Sequence, residues 1–196
     1  MRWAEQDERV MLVWQDECWF SRYAQPRVYG WLSRQSPLHL AERSPNAADK
    51  QPKALAVYGA LQHDTRQVHL SFSDGQPKTA PTLAFIERLL KVARGQSRQV
   101  LIVVWDNASW HVNRTIRRWI HAYNQLAKHS GDVRLLVWRL PTRAPWLNPI
   151  EPHWVHAKRA LCQRSSLPIP VSLLRRGITR YFQSYPLEDL FPTYLS

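Results

Sequence analysis

The sequence predicts an α/β domain: a mixed sheet in which an antiparallel meander joins parallel strands, with helices on both faces. Three observations carry this expectation. Apolar, β-rich runs dominate the first 72 residues; beyond them, segments with helical apolar spacing alternate with further strands; and two strands share one plan, an apolar run that ends at an aspartate.

Arg9-Val-Met-Leu-Val-Trp-Gln-Asp16 is apolar at both parities, which predicts a strand buried on both faces, with Leu12, Trp14 and Asp16 on one of them. Arg27–Leu32 reads as a second strand, and residues 33–53, rich in Ser, Pro and charge, as a long loop. Ala54–Leu61 and Gln67–Phe72 flank His63-Asp64-Thr65 and predict the hairpin that completes the meander. Thr79–Arg94, stopped by Gly95, predicts a crossover helix. Gln99-Val-Leu-Ile-Val-Val-Trp-Asp106 then repeats the plan of the first strand. Asn113–Lys128 predicts a strongly basic helix, Val133–Leu140 a further buried strand, and Val171–Ser184 a closing basic amphipathic helix.

Between Leu140 and Lys158 the chain is stiff. Pro141, Pro145 and Pro149 each fix φ and remove a donor, so no helix can begin before Asn148, the expected N-cap with Pro149 at the first helical position. Glu151 then falls in the first turn, where an acid is favoured, and Trp154, Val155 and Lys158 follow on its face. If the strands that end at Asp16 and Asp106 lie side by side and parallel, both carboxylates stand at one sheet end, and Glu151 joins them there. Such a cluster repels itself unless cations sit in it, and oxygen-only ligands suit magnesium or manganese. Plainer readings stand beside this one: Glu151 as a residue serving the helix dipole, Asp16-Glu17 as a solvated strand-end pair, Asp106-Asn107 as an Asx turn, His111 as a helix-start residue.

Lys and Arg number 27 against 15 acids, a formal charge of +12, which points to a polyanionic partner such as nucleic acid or an acidic membrane surface. The sequence has no run of about 18 uncharged apolar residues and no signal-peptide core near Met1–Arg9, so the expectation is a cytoplasmic, nucleoid-associated protein without a membrane partner. Cys18 and Cys162 are too few for a disulfide framework, and the spacing of His153, His156 and Cys162 matches no compact zinc pattern.

Gln15-Asp16-Glu17, Gly30-Trp31, Trp105-Asp106-Asn107-Ala108 with His111, and Leu140-Pro141 leading to Leu147-Asn148-Pro149-Ile150-Glu151 with Trp154 and Lys158 form a set. That set resembles the catalytic domain of mariner-type DDE transposases, above all their bacterial insertion-sequence branch, over nearly the whole chain. The resemblance implies a single RNase-H-like domain over residues 1–196, two divalent ions (Mg²⁺ or Mn²⁺), and DNA cleavage followed by strand transfer. Asp16, Asp106 and Glu151 take the three catalytic, metal-holding positions, with Asp16 bridging the ions and water, then the freed 3′-hydroxyl, as nucleophiles. The implied partners are insertion-sequence ends and target DNA, with Arg143, Lys158, Trp154 and His111 singled out as DNA contacts.

Two departures stand out. Asp106 and Glu151 are 45 positions apart, longer than usual in the family, and Met1–Glu8 holds no counterpart of its N-terminal helix-turn-helix modules. A separately supplied DNA-binding module and a homodimer are therefore open as partners. Two rival functions stay open as well: a transposase remnant that only binds DNA non-specifically, and an RNase-H-like structure-selective nuclease, which would not be expected to carry the Leu-Asn-Pro-Ile-Glu block.

Overall fold

A computed structural model describes residues 6–23, 48–74, 78–108, 111, 113–142, 144–162 and 168–191. Five strands, β1 (Val10–Ser21), β2 (Ala54–Gln62), β3 (Val68–Asp74), β4 (Val100–Trp105) and β5 (Arg134–Arg139), form one sheet in the order β3-β2-β1-β4-β5. The β1–β2 and β2–β3 pairs are antiparallel, whereas β4 runs parallel to both β1 and β5. This is the expected mixed sheet, with β2 and β3 as the expected hairpin. The expected strand at Arg27–Leu32 and the motif Gly30-Trp31 lie outside the described residues.

The helices are α1 (Thr79–Gly95), α2 (Arg114–Ser130), α3 (Glu151–Cys162), α4 (Val171–Phe182) and the single turn α5 (Leu187–Leu190). They cover both faces, because the two parities of β1 are both apolar. Met11 and Val13 join a core with Phe85, Ile86 and Leu89 of α1 and Ile116 of α2. Cys18 and Phe20, on the opposite face, join Trp154 and Ala157 of α3 and Leu174 and Ile178 of α4. Asn113 caps α2 by accepting the Ile116 N–H at 2.9 Å, and Gly131, at φ 70°, ends it in the left-handed conformation. After α1 the left-handed residue is Ser97, at φ 56°, rather than the expected stop Gly95. Among the described residues no helix is long and apolar enough to cross a membrane.

One expectation is overturned. The Val133–Leu140 run reads as buried because both parities are apolar, yet β5 is an edge strand that leaves Leu136 45% and Trp138 56% exposed. Its open side is managed locally: Asn124 of α2 donates from Nδ2 to the Leu135 carbonyl at 2.8 Å and accepts the Leu135 N–H at 2.9 Å. The amide thus stands in for one residue of a missing strand.

Candidate active site

The β1–β4 register runs from Val10 opposite Val100 to Trp14 opposite Val104, so two residues further on Asp16 and Asp106 stand level at the same sheet end. There the strands diverge in fate: β4 stops at Trp105, while β1 continues to Ser21 on its pairing with β2. A cleft of about 310 Å³ opens at that step, lined by Asp16, Asp106, Asn107, Leu140, Pro141, Asn148 and Glu151 among others. The acids from residues 16, 106 and 151 therefore meet in one place, as their strand plan predicts.

Each carboxylate is held differently. Asp16 is 9% exposed, and its Oδ2 accepts the indole N–H of Trp154 at 3.0 Å. Burial, followed by the charges of Glu151, Glu17 and Asp106, pushes its pKa up to about 7, although the Glu17 backbone N–H works against this. Asp106 Oδ1 accepts from His111 Nδ1 at 2.7 Å and from the Ala108 N–H at 3.0 Å. Burial opposes its ionisation, but these bonds and the charge of His111 hold its pKa below the ordinary carboxylate range. Glu151 sits in the first turn of α3, as expected.

His111 links two acids. Its Nε2 faces Glu17 Oε1 at 3.0 Å while Nδ1 faces Asp106, and a neutral imidazole can donate from only one nitrogen. Burial disfavours the charged ring, yet the bonds to Asp106 and Glu17, with their charges, push its pKa up to about 9. The ring stacks on Trp105 at 4.8 Å. Glu17 faces away from Asp16, as strand alternation requires, and its side chain is 3% exposed.

Several expected roles change. His111 and Trp154, expected to meet DNA, are 1% and 2% exposed and instead position Asp106 and Asp16. Asn148 is not a side-chain cap: α3 begins at Glu151, whose N–H bonds to the Asn148 carbonyl at 3.1 Å, and the buried Asn148 Oδ1 has no partner among the described residues. The buried stripe of α3 is Trp154 and Ala157, which leaves Val155 46% exposed. Lys158 is exposed, with Nζ 5.9 Å from the ring of Phe20. Arg143 lies outside the described residues.

Two participants escaped the sequence reading. Gly59 pairs with Asp16 across β1 and β2, and a Cβ there would strike the Trp154 indole. A lone glycine inside the apolar run Ala54–Gln62 is a signal of close approach that could have found it. The tie from Glu17 to His111 had no such signal.

The fit to divalent ions is a matter of donor chemistry. The acids lining the cleft offer only oxygen, and the pKa of Asp16, raised by burial first and then by the charges of Glu151, Glu17 and Asp106, marks a cost of ionisation that a cation relieves. Among the described residues no group of three or more His, Cys, Asp or Glu side chains is gathered as an ion would need, so ligation calls for the acids to close in.

Residues 11–169 match the family described as DDE superfamily endonuclease. The fold is similar to a Mos1 transposase paired-end complex with left transposon end, at TM-score 0.61 and 18% identity over 90% of this chain and 49% of that one. It is similar also to a Mos1 mariner paired end complex with Mn, at TM-score 0.62 and 14% identity over 95% and 52% of the two chains. The catalytic domain of Mos1 mariner transposase aligns at TM-score 0.57 and 16% identity over 95% of this chain and 76% of that one. The chain thus spans about half the length of the Mos1 chains in the two complexes. Among curated proteins none matches its sequence. At these identities the likeness speaks for the fold alone, an RNase-H-like arrangement with a mixed five-stranded sheet. With the family match reaching from β1 through the cleft and α3, the chain belongs to the DDE superfamily endonucleases.

Proposed function

We propose that the chain is the catalytic domain of a mariner-type transposase of the bacterial insertion-sequence branch, cutting DNA at the ends of an element and joining the freed 3′-hydroxyl to target DNA. The observation that carries this reading is the shared cleft of Asp16, Asp106 and Glu151, on a chain of net charge +12. Magnesium or manganese ions held by the three carboxylates would supply charge neutralisation at the scissile phosphate and an activated water at neutral pH. Asp16, Asp106 and Glu151 would hold these ions between them. Trp154 fixes the rotation of the Asp16 carboxylate and His111 that of Asp106, so the closing-in that ligation calls for starts from two carboxylates already oriented. The Mn complex of the similar Mos1 mariner transposase supports the choice of metal.

The test is nicking of supercoiled plasmid and strand transfer with terminal-repeat duplexes, in Mg²⁺ and in Mn²⁺, alone and with candidate end-binding partners. Asp16→Asn, Asp106→Asn and Glu151→Gln should each abolish both reactions and leave DNA binding equal or tighter, because each removes a negative charge beside phosphate. Their losses should not add, as for groups acting as one unit. Parental activity in any of the three variants refutes the site. Binding without cleavage in either metal would favour the DNA-binding remnant, and cleavage that tracks DNA structure without joining would favour the nuclease.

A further inference from the structure

We infer that the groove between α2 and the edge strand β5 is a second DNA-contacting surface, which takes the phosphate backbone of the duplex away from the catalytic cleft. The inference rests on the reading that the chain acts on DNA. From Asn107 to Ile150 the only acidic residue is Asp132, and its carboxylate is engaged by Arg94 at 2.7 Å. Among the described residues, the arginines and the lysine of this stretch make no ion pair.

They are also gathered. Arg117, His121 and Gln125 recur every four residues along α2, Asn124 and Lys128 form the adjoining row, and Arg134 of β5 closes the opposite wall of a groove of about 440 Å³. Arg117, Lys128 and Arg134 are all exposed. None of these three makes an ion pair among the described residues. Among the described residues no carboxylate lines the groove. The two bonds from Asn124 to Leu135 lock its walls together, so the cations sit on a rigid support.

Length and direction select a polymer over a single anion. From Arg117 to Lys128 the helix rises about 16 Å, the axial span of roughly five phosphates of one strand. The cap of α2 at Asn113 lies two residues beyond His111, which holds Asp106, so the row starts near the catalytic end and leads away from it. Duplex DNA seated in the cleft and passing over β5 meets these side chains through its backbone, whatever its sequence.

Anisotropy titration of the full chain with a random-sequence duplex at several salt concentrations tests this. The triple variant Arg117→Gln/Lys128→Gln/Arg134→Gln should bind at least ~10-fold more weakly, and its slope of log K against log salt should shrink by about 2.7, three phosphates at ~0.9 each. A control with the same charge loss at exposed positions elsewhere, Arg66→Gln/Arg176→Gln/Arg180→Gln, should lose less than about threefold, since long-range charge alone is screened. Equal losses in the two triples, or parental binding by the groove triple, overturn the proposal. An acidic protein partner for the groove would show as parental DNA binding in the groove triple. Circular dichroism and melting establish that the triple is folded; if it is not, Lys128→Gln and Arg134→Gln singly decide, each expected to lower the slope by ~0.9. Plasmid nicking separates the two readings. A parent that binds through the groove but never nicks in either metal refutes the transposase reading alone, and one that nicks while the groove triple binds normally refutes the groove alone.

Discussion

Alanine at position 59 tests whether Trp154 is the clamp on Asp16. Gly59 lies opposite Asp16 in the β1–β2 ladder, and α3 crosses so closely that a Cβ at residue 59 runs into Cζ2 and Cη2 of the Trp154 indole, with Ile150 Cδ1 at 3.1 Å. The indole cannot swing aside. Phe20 and Phe182 pack edge-on against it at 6.3 and 5.4 Å, and its N–H is bonded to Asp16. Overpacking a core costs about 1–3 kcal/mol, and a clamped ring in place of a flexible chain end argues for the upper half, about 2–3. Alanine in a strand offsets roughly 0.5–1 kcal/mol of that relative to glycine. The net loss of about 1–2.5 kcal/mol lowers the melting midpoint by roughly 2–10 °C in a chain of this size. Because the displaced ring carries the bond to Asp16, nicking falls with stability. Trp154→Phe removes the colliding atoms, so in Gly59→Ala/Trp154→Phe the alanine should cost almost nothing, a coupling of about 1.5 kcal/mol. Urea unfolding of the four proteins in the cycle measures it. Additive effects would refute the packing argument.

His69 is buried, with Nε2 2.8 Å from Gln62 Oε1, and burial pulls its pKa from 6.5 down to about 4, slightly opposed by Asp64. As pH falls below 6.5 the unfolded chain takes the proton first, so the protein should keep its full stability above that pH and lose on the order of 3 kcal/mol as pH drops to about 4; unfolding midpoints against pH should flatten in His69→Gln, and an unchanged curve would sink the assignment. His111→Ala releases Asp106 and should weaken Mn²⁺ binding and nicking by ~10–100-fold, whereas Glu17→Gln keeps an acceptor for His111 and should retain most activity; calorimetric Mn²⁺ titration showing parental affinity in His111→Ala would contradict the positioning role. Asn124→Ala removes both bonds to Leu135 and should cost about 1–3 kcal/mol, read by urea midpoint, with a null result meaning that the edge of β5 needs no surrogate.

Much of the site follows from local rules. Alternation in Arg9–Asp16 and Gln99–Asp106 sets which parity each aspartate occupies, since successive side chains on a strand leave by opposite faces. The Pro-rich run ahead of Glu151 sets where α3 can begin. Given parallel β1 and β4, the meeting of Asp16, Asp106 and Glu151 in one cleft is then almost forced. What local rules cannot reach is the choice of partner across long separations. Trp154 reaches Asp16 over 138 positions and His111 reaches Glu17 over 94; both looked like residues for DNA and turned out to be buried supports. Edge position is equally non-local: Val133–Leu140 has the composition of a central strand, and only the sheet order exposes Leu136 and Trp138. The side chain of Asn148 has the chemistry of an N-cap but is packed at the cleft wall with its oxygen unpaired. Residue type sets what a side chain can bond to, while the packing of α3 against the sheet decides what lies within 3 Å of it.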